Sequence, residues 1–251
     1  MLVGIVIMVG LTIAVAALVL APRLGVGAVK CSAAPDRPHP FGYKMAWLAV
    51  RSTDTSGVIE QLGLFKPQLA NWESGLGTIY DDRLGEARVF VSPPVDGWTF
   101  VVGLSLPVPL GERFHDKASV LIERLSQRFP EVQYFFTYPL IDTFAWARAR
   151  DGRIERAFAV GEGGVVWNHG KTTREELALG LKYFELRGVR NRKDDAGGEI
   201  MLHPTESHVL ELAGRWGLDP TRIDAGIAEP ALGLVGIVPL AWRPERKRLA
   251  A

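Results

Sequence analysis

The chain has 251 residues, of which 29 are Lys or Arg and 28 are Asp or Glu, so its formal net charge is +1 at pH 7. This balance gives a nucleic-acid groove no overall electrostatic support, and we expect no nucleic acid among the partners. The single cysteine, Cys31, excludes an intramolecular disulfide framework. Apart from its terminal segments, the chain has the length of one ordinary domain with a sizeable core.

The N-terminal segment is the most apolar part of the chain. Residues 2–21 are apolar or small except for Thr12, and the first charged side chain is Arg23. At ~1.5 Å of rise per residue this run reaches ~30 Å, the thickness of the hydrocarbon core of a bilayer. It predicts a transmembrane anchor over residues 1–22, with a cleaved signal peptide or an upstream extension without a membrane role as the alternatives. Positive charges flank only its C-terminal side, which predicts a single-pass protein of the cell membrane with its globular domain in the cytoplasm.

Two polar segments flank the predicted domain. Residues 23–40 contain prolines, glycines and scattered charges without apolar periodicity, and they predict a Pro-rich tether. Residues 41–242 then form the globular domain, and residues 243–251 form a basic tail. The tail predicts either a solvated terminus or weak contact with anionic lipid through four side chains, namely Arg243, Arg246, Lys247 and Arg248.

Hydrophobic periodicity predicts the first elements of the domain in a recognisable order. They are a strand at 45–51, a helix at 55–62, strands at 88–91 and 98–104, a helix at 114–129 and a strand at 131–137. The second helix is amphipathic, with Ala118, Leu121 and Leu125 on one side, and Pro130 ends it. The order β-α-β-β-α-β is the connectivity of a ferredoxin-like unit.

The remaining elements extend this unit. Strands at 143–150 and 153–160 are joined by Asp151-Gly152, which has the spacing of a two-residue hairpin turn. A short strand at 165–168 and helices at 173–184 and 205–216 follow. The predicted fold class is therefore α+β: a single N-terminal transmembrane helix, then one domain with an antiparallel sheet, a ferredoxin-like start, a further hairpin and C-terminal helices.

No catalytic motif is complete. The five histidines and Cys31 show no metal-ligand spacing, so we predict no metal site and no cofactor. The sequence Gly170-Lys-Thr-Thr173 resembles the end of a phosphate-binding loop, but Val165 stands where its first glycine is needed, and a helix cap explains the segment more simply. A hydrolase using paired carboxylates, Glu131 and Glu162, stays open as an alternative, as does a small-ligand sensor domain.

Seven tryptophans provide the strongest remaining signal. Those in periodic elements are predicted to lie in the core, whereas Trp72 and Trp98 fall in or next to irregular loops. A tryptophan at the rim of a sheet can anchor a partner, because it buries a large area and keeps one N–H donor. We therefore predict a membrane-tethered, non-catalytic module that binds a protein partner, with a binding surface made by Asn71, Trp72, Trp98 and Gln133.

Several short phrases resemble a group of uncharacterised bacterial proteins. They are Ala46-Trp-Leu-Ala-Val50, Asn71-Trp72 with Gly75, Pro93-Pro-Val-Asp-Gly-Trp98, Glu131-Val-Gln-Tyr-Phe135 and Ala145-Trp-Ala-Arg148. The resemblance spans about residues 43–240. It implies a bacterial origin and a single domain, and it implies no activity.

Overall fold

A computed structural model describes residues 30–109, 117–161, 164–181, 204–224 and 226–242. The chain divides into two units, Met1–Lys30 and Cys31–Ala251. Every element below belongs to the second unit.

Strands and helices alternate irregularly along this unit. The strands are β1 Ala46–Arg51, β2 Phe65–Ala70, β3 Arg88–Val91, β4 Trp98–Val102, β5 Val132–Tyr138, β6 Thr143–Arg150, β7 Arg153–Gly161, β8 Gly164–His169 and β9 Gly233–Ile237. The helices are α1 Thr55–Leu62, α2 Trp72–Tyr80, α3 Lys117–Arg128, α4 Arg174–Ala178 and α5 Glu206–Trp216. Short 3₁₀ turns lie at Pro139–Ile141, Pro220–Arg222 and Leu240–Trp242.

The described strands form one nine-stranded sheet in the order β2-β9-β3-β4-β1-β5-β6-β7-β8. Every pair of neighbours is antiparallel. The central strands are buried along almost their whole length, because helices cover both faces of the sheet. A sheet covered on both faces loses the alternation of apolar and polar residues that marks a half-exposed strand.

The two faces of the sheet carry different side chains. One face, which we call the aromatic face, packs Trp47, Phe135, Trp146 and Phe158 against α2 and α5. The opposite face packs against α1 and α3 and is lined on β6 and β7 by five alanines, Ala145, Ala147, Ala149, Ala157 and Ala159. Small side chains allow a helix to approach the backbone of a sheet more closely than large aromatic side chains do.

The segment before β1 is tied to the N-terminus of α2. The carboxylate of Asp36 accepts hydrogen bonds from the backbone N–H groups of Trp72 (2.6 Å) and Glu73 (2.9 Å). The side chain of Asn71 caps the same helix by accepting from the backbone N–H of Ser74 at 3.0 Å, and its amide donates to the carbonyl of Ala34 at 3.0 Å. These bonds satisfy helix N–H groups that would otherwise lack partners.

Two glycines of α2 give a matched test of this packing. A Cβ built on Gly75 overlaps the ring of Phe90, whereas a Cβ on Gly77 meets nothing within 4 Å. We expect Gly75→Ala to destabilise the fold by about 1–3 kcal/mol through overpacking. Gly77→Ala should stabilise it by about 0.5–1 kcal/mol, because alanine favours the helix. Denaturant unfolding of both variants measures the difference, and equal effects of the same sign would contradict this packing.

The predicted fold class is wrong. The described chain is dominated by a nine-stranded antiparallel sheet with few helices, and its elements do not follow the predicted β-α-β-β-α-β order, because β2 and α2 come between α1 and β3. The predicted C-terminal part also lacked β9, which lies between β2 and β3. The predicted helix at 173–184 is short in the structure, since α4 ends at Ala178 and Gly180 adopts a positive φ of 78°.

The structure also corrects the single-pass membrane prediction, including the membrane as a partner and the cytoplasmic placement of the domain. Within the described ranges, no helix is long and apolar enough to cross a bilayer. The longest of them, α3, has 12 residues and so reaches only about 18 Å. The predicted anchor at 1–22 and the predicted basic tail at 243–251 lie outside the described residues.

Candidate functional site

The four residues of the predicted binding surface lie in the interior. Their exposed fractions are 6% for Asn71, 1% for Trp72, 3% for Trp98 and 1% for Gln133. Asn71 and Trp72 begin α2, where the Trp72 ring packs between Phe41 and Phe90. In this conformation the four side chains present almost no area to a partner, and their role in binding stays a prediction.

Trp98 and Gln133 lie near one end of the aromatic face. Trp98 is paired with Arg51 in the register of β4 and β1. The Gln133 amide donates to a carboxylate oxygen of Glu131 at 2.7 Å and to the carbonyl of Trp216, the last residue of α5, at 3.0 Å. Two of the four predicted residues therefore support a polar end of the sheet that sequence reasoning did not identify.

Three arginines gather at this end, and we call them the arginine cluster: Arg51, Arg148 and Arg150. The β5–β6 register places Arg148 opposite Gln133, and the backbone N–H of Arg51 donates to the carbonyl of Glu131 at 2.9 Å. Alternation along β1 and β6 puts all three side chains on the aromatic face. They lie there because β5 brings β1 and β6 together, not because they are close in sequence.

Two members of the cluster lie over tryptophan rings. The guanidinium carbon of Arg51 is 5.0 Å from the centre of the Trp98 ring, and that of Arg148 is 5.0 Å from the centre of the Trp216 ring. Gly217, which follows Trp216, lies against the Trp98 ring, because a Cβ at this position would come within 2.7 Å of that ring. Cation–π contact fixes the plane of each guanidinium and leaves its N–H edge for another partner.

These two guanidinium groups have few polar partners among the residues described. The side chain of Arg51 donates no hydrogen bond to any residue that the structure describes. The buried Nε of Arg148 also lacks a hydrogen-bond partner there, and its ion pair with Glu155 has an N–O distance of 3.4 Å. Arginine heads held in place without strong acceptors are suited to receive carboxylates or other planar anions.

Arg150 is held differently. Its Nε and a terminal nitrogen donate to one oxygen of Glu131 at 3.0 and 2.6 Å. The hydrogen bond with Glu131 is the main reason that the pKa of Arg150 is raised above its ordinary value. Gln133 occupies the other oxygen of Glu131. Because both oxygens are occupied, Glu131 acts as a fixed counter-ion in this structure.

The hydrolase alternative gains no support from this arrangement. Both carboxylate oxygens of Glu131 accept hydrogen bonds from neighbouring side chains, and its predicted companion Glu162 lies outside the described residues. In the described ranges, no group of three or more His, Cys, Asp or Glu side chains is placed to hold a metal ion.

A buried ion pair lies on the same face at β7, the strand next to β6. Arg156 and Glu176 are 2% and 0% exposed, and a terminal nitrogen of Arg156 lies 2.8 Å from the carboxylate. The indole N–H of Trp146 donates to the same carboxylate at 2.8 Å, and the backbone N–H of Thr173 donates to it at 2.7 Å. These bonds fix α4 and the strand β7 to each other.

Sequence reasoning missed the arginine cluster, although one signal was present. In β6 the bulky residues Phe144 and Trp146 alternate with alanines, and Arg148 and Arg150 continue the same alternation. The pattern indicates that the charged side chains share the face of the aromatic ones. The partner strand and the stacking rings come from distant parts of the chain, which the alternation does not reveal.

Comparison with known proteins finds no significant similarity: no family model, no curated protein and no solved structure matches the chain.

Proposed function

We propose that this domain is a non-catalytic protein-binding module that holds an acidic segment of a partner protein through Arg51 and Arg148. The observation that carries the proposal is that both guanidinium groups are fixed on tryptophan rings and have no strong acceptor among the described residues. Binding to such side chains requires little further ordering, because their orientation is already set.

Carboxylates suit these two positions. A guanidinium presents its N–H groups in one plane, and a carboxylate accepts two of them in parallel. The tryptophan ring covers one side of each guanidinium. The Arg148 side chain is 18% exposed and its Nε is buried, so its terminal nitrogens are the groups left for a partner. The C-terminal end of α5, at Trp216, adds negative potential that further orients the Arg148 cation.

The spacing favours a segment with two carboxylates over one small anion. Arg51 and Arg148 lie on strands separated by β5 and differ by two residues in register. With strands 4.7–4.9 Å apart and ~3.4 Å of rise per residue, their Cα atoms are roughly 12 Å apart. Two acidic residues four positions apart in an extended segment span about 13 Å and can engage one arginine each.

Neighbouring charges oppose a uniform polyanion such as nucleic acid. The carboxylates of Glu131 and Glu155 lie within the cluster, and the whole chain carries a net charge of only +1. They would repel closely spaced phosphates, while a protein segment can place its acids only where the arginines lie. A nucleic acid that binds better than an acidic peptide would overturn the proposal.

The test measures binding of a fluorescein-labelled hexaglutamate peptide to the full-length chain by fluorescence anisotropy. We expect Arg51→Gln/Arg148→Gln to weaken binding at least tenfold, since each lost charged hydrogen bond contributes about 1.5–3 kcal/mol. Circular dichroism of the double variant checks that the fold is intact, because the Arg148 side chain is only 18% exposed.

A matched control removes the same charge from the opposite face. Arg124 and Arg128 lie on α3, which packs on the alanine-lined face. Arg124→Gln/Arg128→Gln should leave the affinity within about twofold of wild type. A change of that size is what the loss of two distant positive charges produces by long-range electrostatics. Equal losses in the two double variants would mean that the peptide senses only net charge and would contradict the assigned site.

A further inference from the structure

Glu155 occupies an irregular position beside the arginine cluster. Arg148 is paired with Arg156 in the β6–β7 register, but the next pair is Ala149 with Ile154. Glu155 is therefore the extra residue of a β-bulge and has no partner on β6. Bulges redirect a side chain, and this one places the carboxylate between Arg148 and Arg150.

The bonds of Glu155 are much weaker than those of Glu131. One oxygen of Glu155 lies 3.4 Å from Arg148 and 3.4 Å from Arg150, and its side chain is 42% exposed. Glu131, in contrast, is 13% exposed and lies 2.6 Å from Arg150. Arg148 is 18% exposed and Arg150 is 40% exposed. A contact of 3.4 Å to a carboxylate that is itself partly exposed contributes little to stability, so the Glu155 carboxylate is readily replaced.

The backbone at Glu155 is fixed even though its side chain is loosely held. Gly170 approaches it so closely that a Cβ there would overlap the Glu155 carbonyl oxygen. The imidazole Nε2 of His169 also lies 3.1 Å from the carbonyl of Ile154. An exchange of partners at the arginines therefore requires only rotation of the Glu155 side chain, with no change in the sheet.

We infer that Glu155 is an internal competitor for the arginine cluster, which occupies Arg148 until a carboxylate of the partner displaces it. This inference rests on the proposed function and adds its regulation: the domain carries its own low-affinity substitute for the ligand. The Glu155 carboxylate lowers the affinity of Arg148 for any carboxylate of a partner. Only segments that also engage Arg51 therefore bind well.

The test compares Glu155→Gln with Glu60→Gln, which removes the same charge from α1 on the opposite face. With hexaglutamate and the full-length chain, we expect Glu155→Gln to bind about two- to fivefold more tightly, the range set by an exposed ion pair. Glu60→Gln should change the affinity less. Equal affinity of Glu155→Gln and wild type would overturn the competitor role while leaving the proposed function intact.

A second variant separates competition from a general charge effect. If Glu155 acts through Arg148, Glu155→Gln should give no gain in a chain that already carries Arg148→Gln. A full gain in that background would also overturn the inference. Loss of all specific binding, with wild type no better than Arg51→Gln/Arg148→Gln, would instead overturn the proposed function, and the competitor role with it.

Discussion

Glu176→Gln is expected to destabilise the fold by about 3–5 kcal/mol, because it leaves the Arg156 guanidinium buried without a counter-charge. Arg156 is 2% exposed, and its Nε lies 2.9 and 3.0 Å from the two carboxylate oxygens of Glu176. The amide of glutamine keeps the shape of the side chain but supplies only one acceptor oxygen. Urea unfolding of the full-length chain measures the loss.

Glu175 provides the control for this substitution. It lies beside Glu176 in the first turn of α4, so Glu175→Gln changes the helix-dipole interaction in the same way. It is not part of the buried network and should change the free energy of unfolding by less than about 1 kcal/mol. If Glu176→Gln were as mild as Glu175→Gln, the buried pair would not be holding α4 to the sheet.

Trp72→Ala is expected to destabilise the fold by about 3–5 kcal/mol, since it empties a large volume in the core. The ring is 1% exposed, and its centre lies 5.6 Å from that of Phe90 and 6.4 Å from that of Phe41. The variant loses the packing contacts that join α2 to β3 and to the segment before β1. Thermal unfolding monitored by circular dichroism gives the change in stability.

Trp242 is the matched tryptophan for comparison. It is only partly buried and packs at the margin of the opposite face. Trp242→Ala should therefore cost clearly less than Trp72→Ala. A Trp72→Ala variant that unfolds like wild type would show that Trp72 is not a core residue, and would return it to the predicted binding surface.

The parts of the fold that follow from the sequence are the local ones. The hairpin of β6 and β7 turns at Asp151-Gly152, and both residues have the positive φ angles, 49° and 72°, that a tight hairpin turn requires. The amphipathic stripe of α3 and the cap of α4 at Thr173 also depend on neighbouring residues. Each of these signals lies within a few residues of the structure that it determines.

The parts that do not follow depend on distant residues. The edge strand β2 contains Lys66 and Pro67, which are typical of loops but also of edges protected against further pairing. Helix α2 contains Gly75 and Gly77, which lower its helix propensity, and it is capped by Asp36, some 36 residues earlier. Periodicity and propensity within a short window do not reveal such support.

The candidate site shows the same division. Trp72 and Trp98 were placed at a rim because irregular segments surround them in the sequence, but α2 and α5 fold over the aromatic face and bury both rings. The assembly of Arg51 and Arg148 requires the register of three strands that are far apart along the chain. No local pattern contains that register.

The most direct test of the account observes the two arginine heads during binding. Two-dimensional ¹H–¹⁵N spectra of the arginine Nε–H groups follow the full-length chain as hexaglutamate is added. We predict that the signals of Arg51 and Arg148 shift together and saturate at the same peptide concentration, while that of Arg124 on the opposite face stays in place. Unchanged Arg51 and Arg148 signals, or an equal shift at Arg124, would contradict an acid-binding site at this end of the sheet.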